Sequence, residues 1–188
     1  MTIEQTIKNL FLKYGVFLGV ILLALSIFSY YFITRITTSP ALFVAAPILF
    51  SLFIPIIITV LFCFNGRKQI GGYWTFKQAT TGIFIMFLVA FLIQFIGRDL
   101  IFNKLIEPDS IVKTQMAAIN AKALIARQKG EDQKSVDKDT AEMKKDFAAQ
   151  QTTSVIGTIT GFVISVLFVF LFALIFGSLF KKDPPVYA

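Results

Sequence analysis

Four long apolar runs constrain this chain more than any other feature. They cover residues 14–33, 41–64, 79–96 and 155–180, and none contains Asp, Glu, Lys, Arg or His. A helix needs about 20 apolar residues to cross the ~30 Å hydrocarbon core of a bilayer. Helices suit that environment because they pair their own backbone polar groups. We therefore expect an all-α, polytopic membrane protein with four transmembrane helices.

Composition and charge exclude several classes of function. The 188 residues are 56% hydrophobic, and 18 Lys and Arg outnumber 11 Asp and Glu. Much of this basic excess lies at the ends of the apolar runs, where it sets topology, so we expect no nucleic-acid partner. The chain has no His, and Cys63 is its one cysteine. No paired acid and base or metal constellation is visible, so the sequence predicts no enzyme, metal or cofactor.

The distribution of Lys and Arg predicts the orientation. The two tails and the second connection carry seven basic residues: Lys8, Lys13, Arg67, Lys68, Lys77, Lys181 and Lys182. The first connection carries Arg35 alone. Short cytoplasmic segments are enriched in basic residues. We therefore expect a multi-pass protein of the bacterial inner membrane, with both termini in the cytoplasm.

This orientation divides the chain into three parts. Residues 1–97 form the first three transmembrane helices with short loops. Residues 98–154 form a periplasmic segment, and residues 155–188 form the fourth transmembrane helix and a cytoplasmic tail.

The periplasmic segment is predicted to be a helical hairpin. Apolar residues recur at heptad spacing on both sides of Gly130, which places each set on one stripe of a helix. The predicted hairpin contacts are Val112, Met116, Ile119, Val136, Met143 and Phe147. Three interpretations remain open: a solvated hairpin extending the third and fourth spans, a hairpin that docks onto another protein, and partial disorder.

Small residues inside the spans predict close helix packing, because lipid supplies no hydrophobic drive between helices. The candidates are Gly15, Gly19, Gly82, Gly157, Gly161 and Ser165. Opposite orientations of the first and fourth spans place Gly15 and Gly19 at the depth of Gly82, and Gly157 and Gly161 at the other face. Two interpretations of these positions remain open: packing within one helix bundle, and contact between subunits.

The second connection joins basic residues to aromatic ones. Tyr and Trp favour the membrane interface, and Lys and Arg favour anionic headgroups. We expect interface or lipid contacts at Arg67, Lys68, Tyr73, Trp74 and Lys77, and at Arg98 near the outer end of the third span. Recognition of a lipid head or a partner by this segment is the alternative to simple anchoring.

Three short motifs carry a family resemblance: Tyr14-Gly15, residues 71–77 with Gly82 following, and Ile106-Glu107-Pro108. In these the chain resembles an uncharacterised bacterial family, the domain of unknown function numbered four-one-nine-nine. The family pattern has Asp before the proline, where this chain has Glu107. The resemblance implies four-helix inner-membrane proteins with a long insertion between the last two spans. It also implies a polyprenyl-phosphate sugar transferase as a partner.

The sequence favours a non-enzymatic accessory or assembly subunit of the inner membrane. Such a subunit would bind a partner protein, or a second copy of itself, through its helices or its periplasmic hairpin, with membrane lipid around it. The alternative is a protein that binds or handles a lipid or lipid-linked sugar through its basic and aromatic cytoplasmic edge.

Overall fold

The protein is helical throughout the part of the chain that the structure describes. The computed structural model describes residues 2–150 and 155–184. Its α-helices are α1 (Ile3–Tyr31), α2 (Pro40–Ile48), α3 (Ile54–Gln69), α4 (Phe76–Gln94), α5 (Ser110–Gln128), α6 (Gln133–Gln150) and α7 (Val155–Phe180). Within these residues there is no strand, and one antiparallel bridge pairs Trp74 with Lys182.

Wider π-helical turns extend or join several of these helices. They lie at Phe32–Ile36 after α1, Leu49–Phe53 between α2 and α3, and Phe95–Ile106 after α4. Four continuous helices long and apolar enough to cross a membrane result: Ile3–Ile36, Pro40–Gln69, Phe76–Ile106 and Ile159–Phe180. The prediction of an all-helical chain with four such helices is confirmed.

Two prolines explain the irregular second helix. Pro47 and Pro55 bracket the π-helical turn Leu49–Phe53. Neither proline has a backbone N–H to donate, and its ring crowds the preceding turn, so the helix widens between them.

The core lies between α1 and α4. Ile7, Phe11 and Leu18 of α1 are buried, as are Ile83 and Met86 of α4. The helices approach closely because glycines face the partner helix. A Cβ at Gly15 would lie 2.8 Å from the carbonyl oxygen of Met86, and a Cβ at Gly82 would lie 3.0 Å from Phe11. α7 packs on α4 and α3 packs on α1, which leaves broad apolar faces outside, as lipid contact requires.

The glycines of α7 divide into two kinds. Gly177 sits directly on Thr80 of α4. Gly161, by contrast, has nothing within 4 Å of the position of a Cβ, and the Ser165 hydroxyl donates 2.8 Å to the Gly161 carbonyl of its own helix. Gly157 is exposed. Gly161 therefore makes no close contact inside the bundle, because its side of α7 faces away from the described helices, whereas the ring of the next residue, Phe162, lies 5.4 Å from that of Phe91 in α4. The interpretation that Gly161 packs within the bundle is wrong, and its contact between subunits stays a prediction.

α5 and α6 follow the third span. α5 contacts α2 and the end of the first span as well as α6. The chain reverses at Gly130, whose φ of +83° is one that glycine adopts without strain. An ion pair of 2.9 Å joins Arg127 to Asp137 across the turn.

Exposure along α6 follows the heptad spacing. From residue 133 to 149 the positions that are not exposed are Val136, Thr140, Met143 and Phe147. In α5, Ile119 is buried, and Val112 and Met116 are half-buried. The last residues of the predicted periplasmic segment, 151–154, and the end of the predicted tail, 185–188, lie outside the described residues.

Candidate functional site

A cavity of about 350 Å³ lies where α5 meets the ends of three spans. We call it the α5 cavity. Its wall comes from the last turns of α1, from α2 and the π-helical turn after it, from the end of the third span and from the start of α5. The lining residues are Ser26, Ile27, Ser29, Tyr30, Ile33, Phe43, Pro47, Ser51, Arg98, Phe102, Asn103, Ser110, Ile111, Thr114, Gln115 and Ala118.

Several polar side chains of this wall are bound within the protein. The Ser26 hydroxyl donates to the Leu23 carbonyl at 2.9 Å, and the Ser110 hydroxyl donates to Asn103 Oδ1 at 2.9 Å. The second bond ties the first turn of α5 to the end of the third span. These residues stabilise the shape of the cavity.

Other polar side chains of the wall make no side-chain hydrogen bond to a described residue: Ser29, Ser51, Arg98, Thr114 and Gln115. The charge of Arg98 interacts with the neighbouring Asp99 carboxylate. The five side chains come from four different segments, so the fold brings together donors that are far apart in sequence. A buried polar group that lacks a protein partner requires water or a ligand. Ser29 is buried and Thr114 is half-buried, whereas Ser51, Arg98 and Gln115 are exposed and open to a ligand. A guanidinium with neutral hydroxyls and an amide suits an anion that carries further hydroxyl groups.

Glu107 fixes one side of the cavity. Its carboxylate accepts hydrogen bonds from Arg35 at 2.9 Å, from Lys113 Nζ at 2.8 Å and from the Tyr30 hydroxyl at 3.3 Å. Tyr30 and Arg35 lie in the last turns of the first span, whereas Lys113 lies in α5. One carboxylate, 14% exposed, therefore holds α5 against the end of the first span.

The charges around Glu107 shift its pKa. The hydrogen bond from Lys113 is the largest cause that lowers the pKa of Glu107 below its ordinary value of 4.5. The same bond raises the pKa of Lys113 above its ordinary 10.5. Both groups therefore stay ionised across the neutral range. The sequence marked Glu107 as part of a family motif and did not identify it as an ionic centre.

The opposite end of the molecule, where α1 begins and α7 ends, holds Trp74. This residue is 1% exposed and stacks on Phe11 at 5.3 Å between ring centroids. Its indole N–H donates to the Phe180 carbonyl, and its backbone pairs with that of Lys182. The prediction that Trp74 contacts lipid is wrong, because its ring fills the space between α1 and the end of α7.

The other predicted interface residues lie on the surface around Trp74. The Arg67 guanidinium is 5.3 Å from the centroid of the Phe64 ring, and Lys182 lies over the exposed Tyr73 ring at 5.2 Å. Lys68 and Lys77 are exposed. Arg98 is separate from this group, at the α5 cavity.

These features define a multi-pass helical protein of the membrane class, with a polar cavity at one end of its spans. The chain belongs to the family described as protein of unknown function (DUF4199), whose profile matches residues 13–182. The resemblance seen in its short motifs is thereby confirmed. No curated protein and no solved structure matches the chain. In the described part of the chain, no group of His, Cys, Asp or Glu could hold a metal ion.

Proposed function

We propose that this protein is a non-enzymatic, multi-pass protein of the bacterial inner membrane that binds the headgroup of a phosphate-bearing lipid, bare or sugar-linked, in the α5 cavity. In this proposal both termini are cytoplasmic, and α5 and α6 form a periplasmic hairpin that covers the site. A polyprenyl-phosphate sugar transferase is then a suitable partner, because its substrates and products have this chemistry.

The observation that carries the proposal is the set of polar side chains around the α5 cavity that make no side-chain hydrogen bond within the described residues, with Arg98 offset in part by the neighbouring Asp99. Arg98 supplies a permanent positive charge, and a guanidinium can bind a phosphate through two parallel hydrogen bonds. Ser29, Thr114 and Gln115 add neutral donors and acceptors suited to sugar hydroxyls. A volume of about 350 Å³ lies in the range of small-ligand sites. The cavity adjoins the spans, so the lipid chain would remain in the bilayer.

Binding of a polyprenyl phosphate to the purified chain tests the proposal. The protein is held in neutral phosphatidylcholine nanodiscs, and bound lipid is counted by native mass spectrometry. Arg98→Gln should weaken binding by tenfold or more, because it removes a charge-assisted contact. Gln115→Leu keeps the charge, so it should weaken a sugar-bearing polyprenyl phosphate more than the bare phosphate.

Lys104→Gln is the matched control. Lys104 is an exposed cation six residues from Arg98, and it does not line the cavity. The Lys104→Gln variant should bind the lipid as tightly as the unaltered chain does. Equal losses in Arg98→Gln and Lys104→Gln would mean that net charge alone attracts the lipid, and the proposal would fail.

A second candidate function is the accessory subunit. The observation that favours it is the exposed small-residue face of α7, where Gly161 has no neighbour while Gly15, Gly19, Gly82 and Gly177 are all packed. Another membrane protein or a second copy could approach α7 closely there. Gly161→Ile should then release a partner that copurifies in mild detergent, or change the oligomeric state, without lowering the stability of the chain.

A further inference from the structure

A second cavity lies at the opposite end of the molecule. It has a volume of about 270 Å³ and is formed by the first turns of α1 and α4. Its lining residues are Glu4, Ile7, Lys8, Lys77, Gln78 and Thr81. We call it the lysine cavity. Just beyond the cavity, α1 and α4 pack closely, because Gly82 has no side chain and leaves room for Ile7 and Phe11.

The charges in this cavity are not balanced within the protein. Lys8 and Lys77 come from different helices, and neither forms an ion pair in the described residues. Glu4 also has no ion pair there, and it leaves the lining with one more positive than negative charge. The net positive charge of the two lysines and Glu4 favours an anion in this cavity.

The neutral groups of the wall are also suited to an anion. Gln78 Oε1 accepts the backbone N–H of Thr75 at 2.9 Å, as part of the cap of α4, so the amide N–H groups of Gln78 remain available as donors. The Thr81 hydroxyl has no side-chain hydrogen bond to another described residue. The cavity thus offers two cations and two neutral donors.

The position of the lysine cavity matches the depth of lipid headgroups. Lys77 lies two residues before the apolar run that begins at residue 79, and Lys8 lies six residues before the run that begins at residue 14. Lysines at the ends of spans place their ammonium groups at the phosphate layer.

We propose that the lysine cavity binds a phosphate anion, and that the phosphate belongs to the headgroup of an anionic phospholipid. Lys8 and Lys77 hold it from two sides, and Gln78 and Thr81 donate hydrogen bonds to its oxygens. This site does not depend on the α5 cavity, from which it is separated by the length of the spans.

Lipid retention in mixed micelles tests this site. The full chain is purified in detergent with equal amounts of phosphatidylglycerol and phosphatidylcholine, and retained lipid is counted by native mass spectrometry. The unaltered chain should retain phosphatidylglycerol preferentially. The double variant Lys8→Gln with Lys77→Gln should lower that preference about tenfold, because two charge-assisted contacts are lost.

Three variants separate a built site from general attraction. Lys13→Gln with Lys181→Gln changes the net charge equally at the same end of the molecule but alters no residue of the cavity, so the preference should persist. The double variant Lys8→Arg with Lys77→Arg keeps both charges and should also keep the preference for phosphatidylglycerol. Glu4→Gln removes the one acidic group of the wall and should increase retention. Equal loss in both Gln double variants, or no preference in the unaltered chain, would overturn the proposal.

Inorganic phosphate distinguishes the source of the anion. If the site serves free phosphate, inorganic phosphate should raise the thermal midpoint of the unaltered chain but not that of the double variant Lys8→Gln with Lys77→Gln. The unaltered chain should then show no preference for phosphatidylglycerol over phosphatidylcholine. That result would overturn the lipid assignment. Retention of phosphatidylglycerol that inorganic phosphate displaces poorly would support it.

Discussion

Glu107 shows how one residue can couple two parts of this fold. Its carboxylate is the common acceptor for Tyr30, Arg35 and Lys113, and no other described residue joins α5 to the first span through an ion pair. Because these contacts require the ionised carboxylate, the attachment of α5 depends on pH. The pKa of Glu107 is lowered in the folded chain, so its stabilisation is complete above its ordinary pKa of 4.5. The stabilisation is lost as the pH falls through the folded value.

Glu107→Gln should therefore remove part of the acid sensitivity of the protein. The thermal midpoint in detergent is measured from neutral pH down to below pH 4. The unaltered chain should be more stable than Glu107→Gln at neutral pH, and the difference should shrink in acid. Glu142→Gln, on the exposed face of α6, serves as the control and should follow the unaltered chain. A constant difference at every pH would show that charge on Glu107 does not stabilise α5.

At the scale of elements, the contact between α1 and α4 depends on glycine. A Cβ at Gly15 would lie 2.8 Å from a backbone oxygen of Met86 and 2.8 Å from the Val89 side chain. Because a backbone atom cannot rotate away, the helices must separate. Gly15→Ala should cost about 1–3 kcal/mol of stability, as overpacking of a close contact does.

Gly161→Ala is the matched substitution on α7. Nothing lies within 4 Å of that position, so the added methyl group should cause no loss. Both variants are compared with the unaltered chain by reversible unfolding in mild detergent. Similar losses in the two would contradict the open space at Gly161, and with it the free face of α7.

The end of α7 is held by the loop before α4. Gly71 and Gly72 have φ of +103° and +87°, which end α3 and direct Trp74 inward. The indole then bonds the Phe180 carbonyl, and the Lys182 N–H donates to the Trp74 carbonyl at 3.0 Å. These bonds join segments that are over 100 residues apart.

Trp74→Phe should loosen this end of α7. The variant keeps an aromatic ring beside Phe11 but leaves the Phe180 carbonyl unpaired, at a cost of about 1–3 kcal/mol. Hydrogen exchange at the Lys182 amide should accelerate, while exchange within α1 stays slow. Tyr73→Phe is the control, since the Tyr73 ring is exposed. Unchanged exchange at Lys182 in Trp74→Phe would show that the backbone bridge holds without the indole.

For the whole molecule, the sequence predicted the features that depend on hydropathy and on the spacing of apolar residues. The four spans follow from runs without charge, and the heptad positions of α6 are those that the structure leaves least exposed. The α5 cavity and the role of Glu107 could not be predicted, because they depend on which helix ends meet. Trp74 was assigned to the interface from residue preference alone, and Gly161 to close helix packing from spacing alone. Neither signal says which neighbour occupies a given side of a helix.

The topology predicted from charge places the two ends of the molecule on opposite sides of the membrane. Gly130 lies in the turn between α5 and α6, and Lys182 follows α7 at the end where α1 begins. In a Cys63→Ser background, a cysteine is introduced by Gly130→Cys or by Lys182→Cys. A membrane-impermeant maleimide is applied to intact cells with a permeable outer membrane and to inverted inner-membrane vesicles. Gly130→Cys should label only in cells, and Lys182→Cys only in vesicles, because one end faces the periplasm and the other the cytoplasm. If both cysteines reacted in the same preparation, the topology predicted from the seven-to-one excess of basic residues would be wrong.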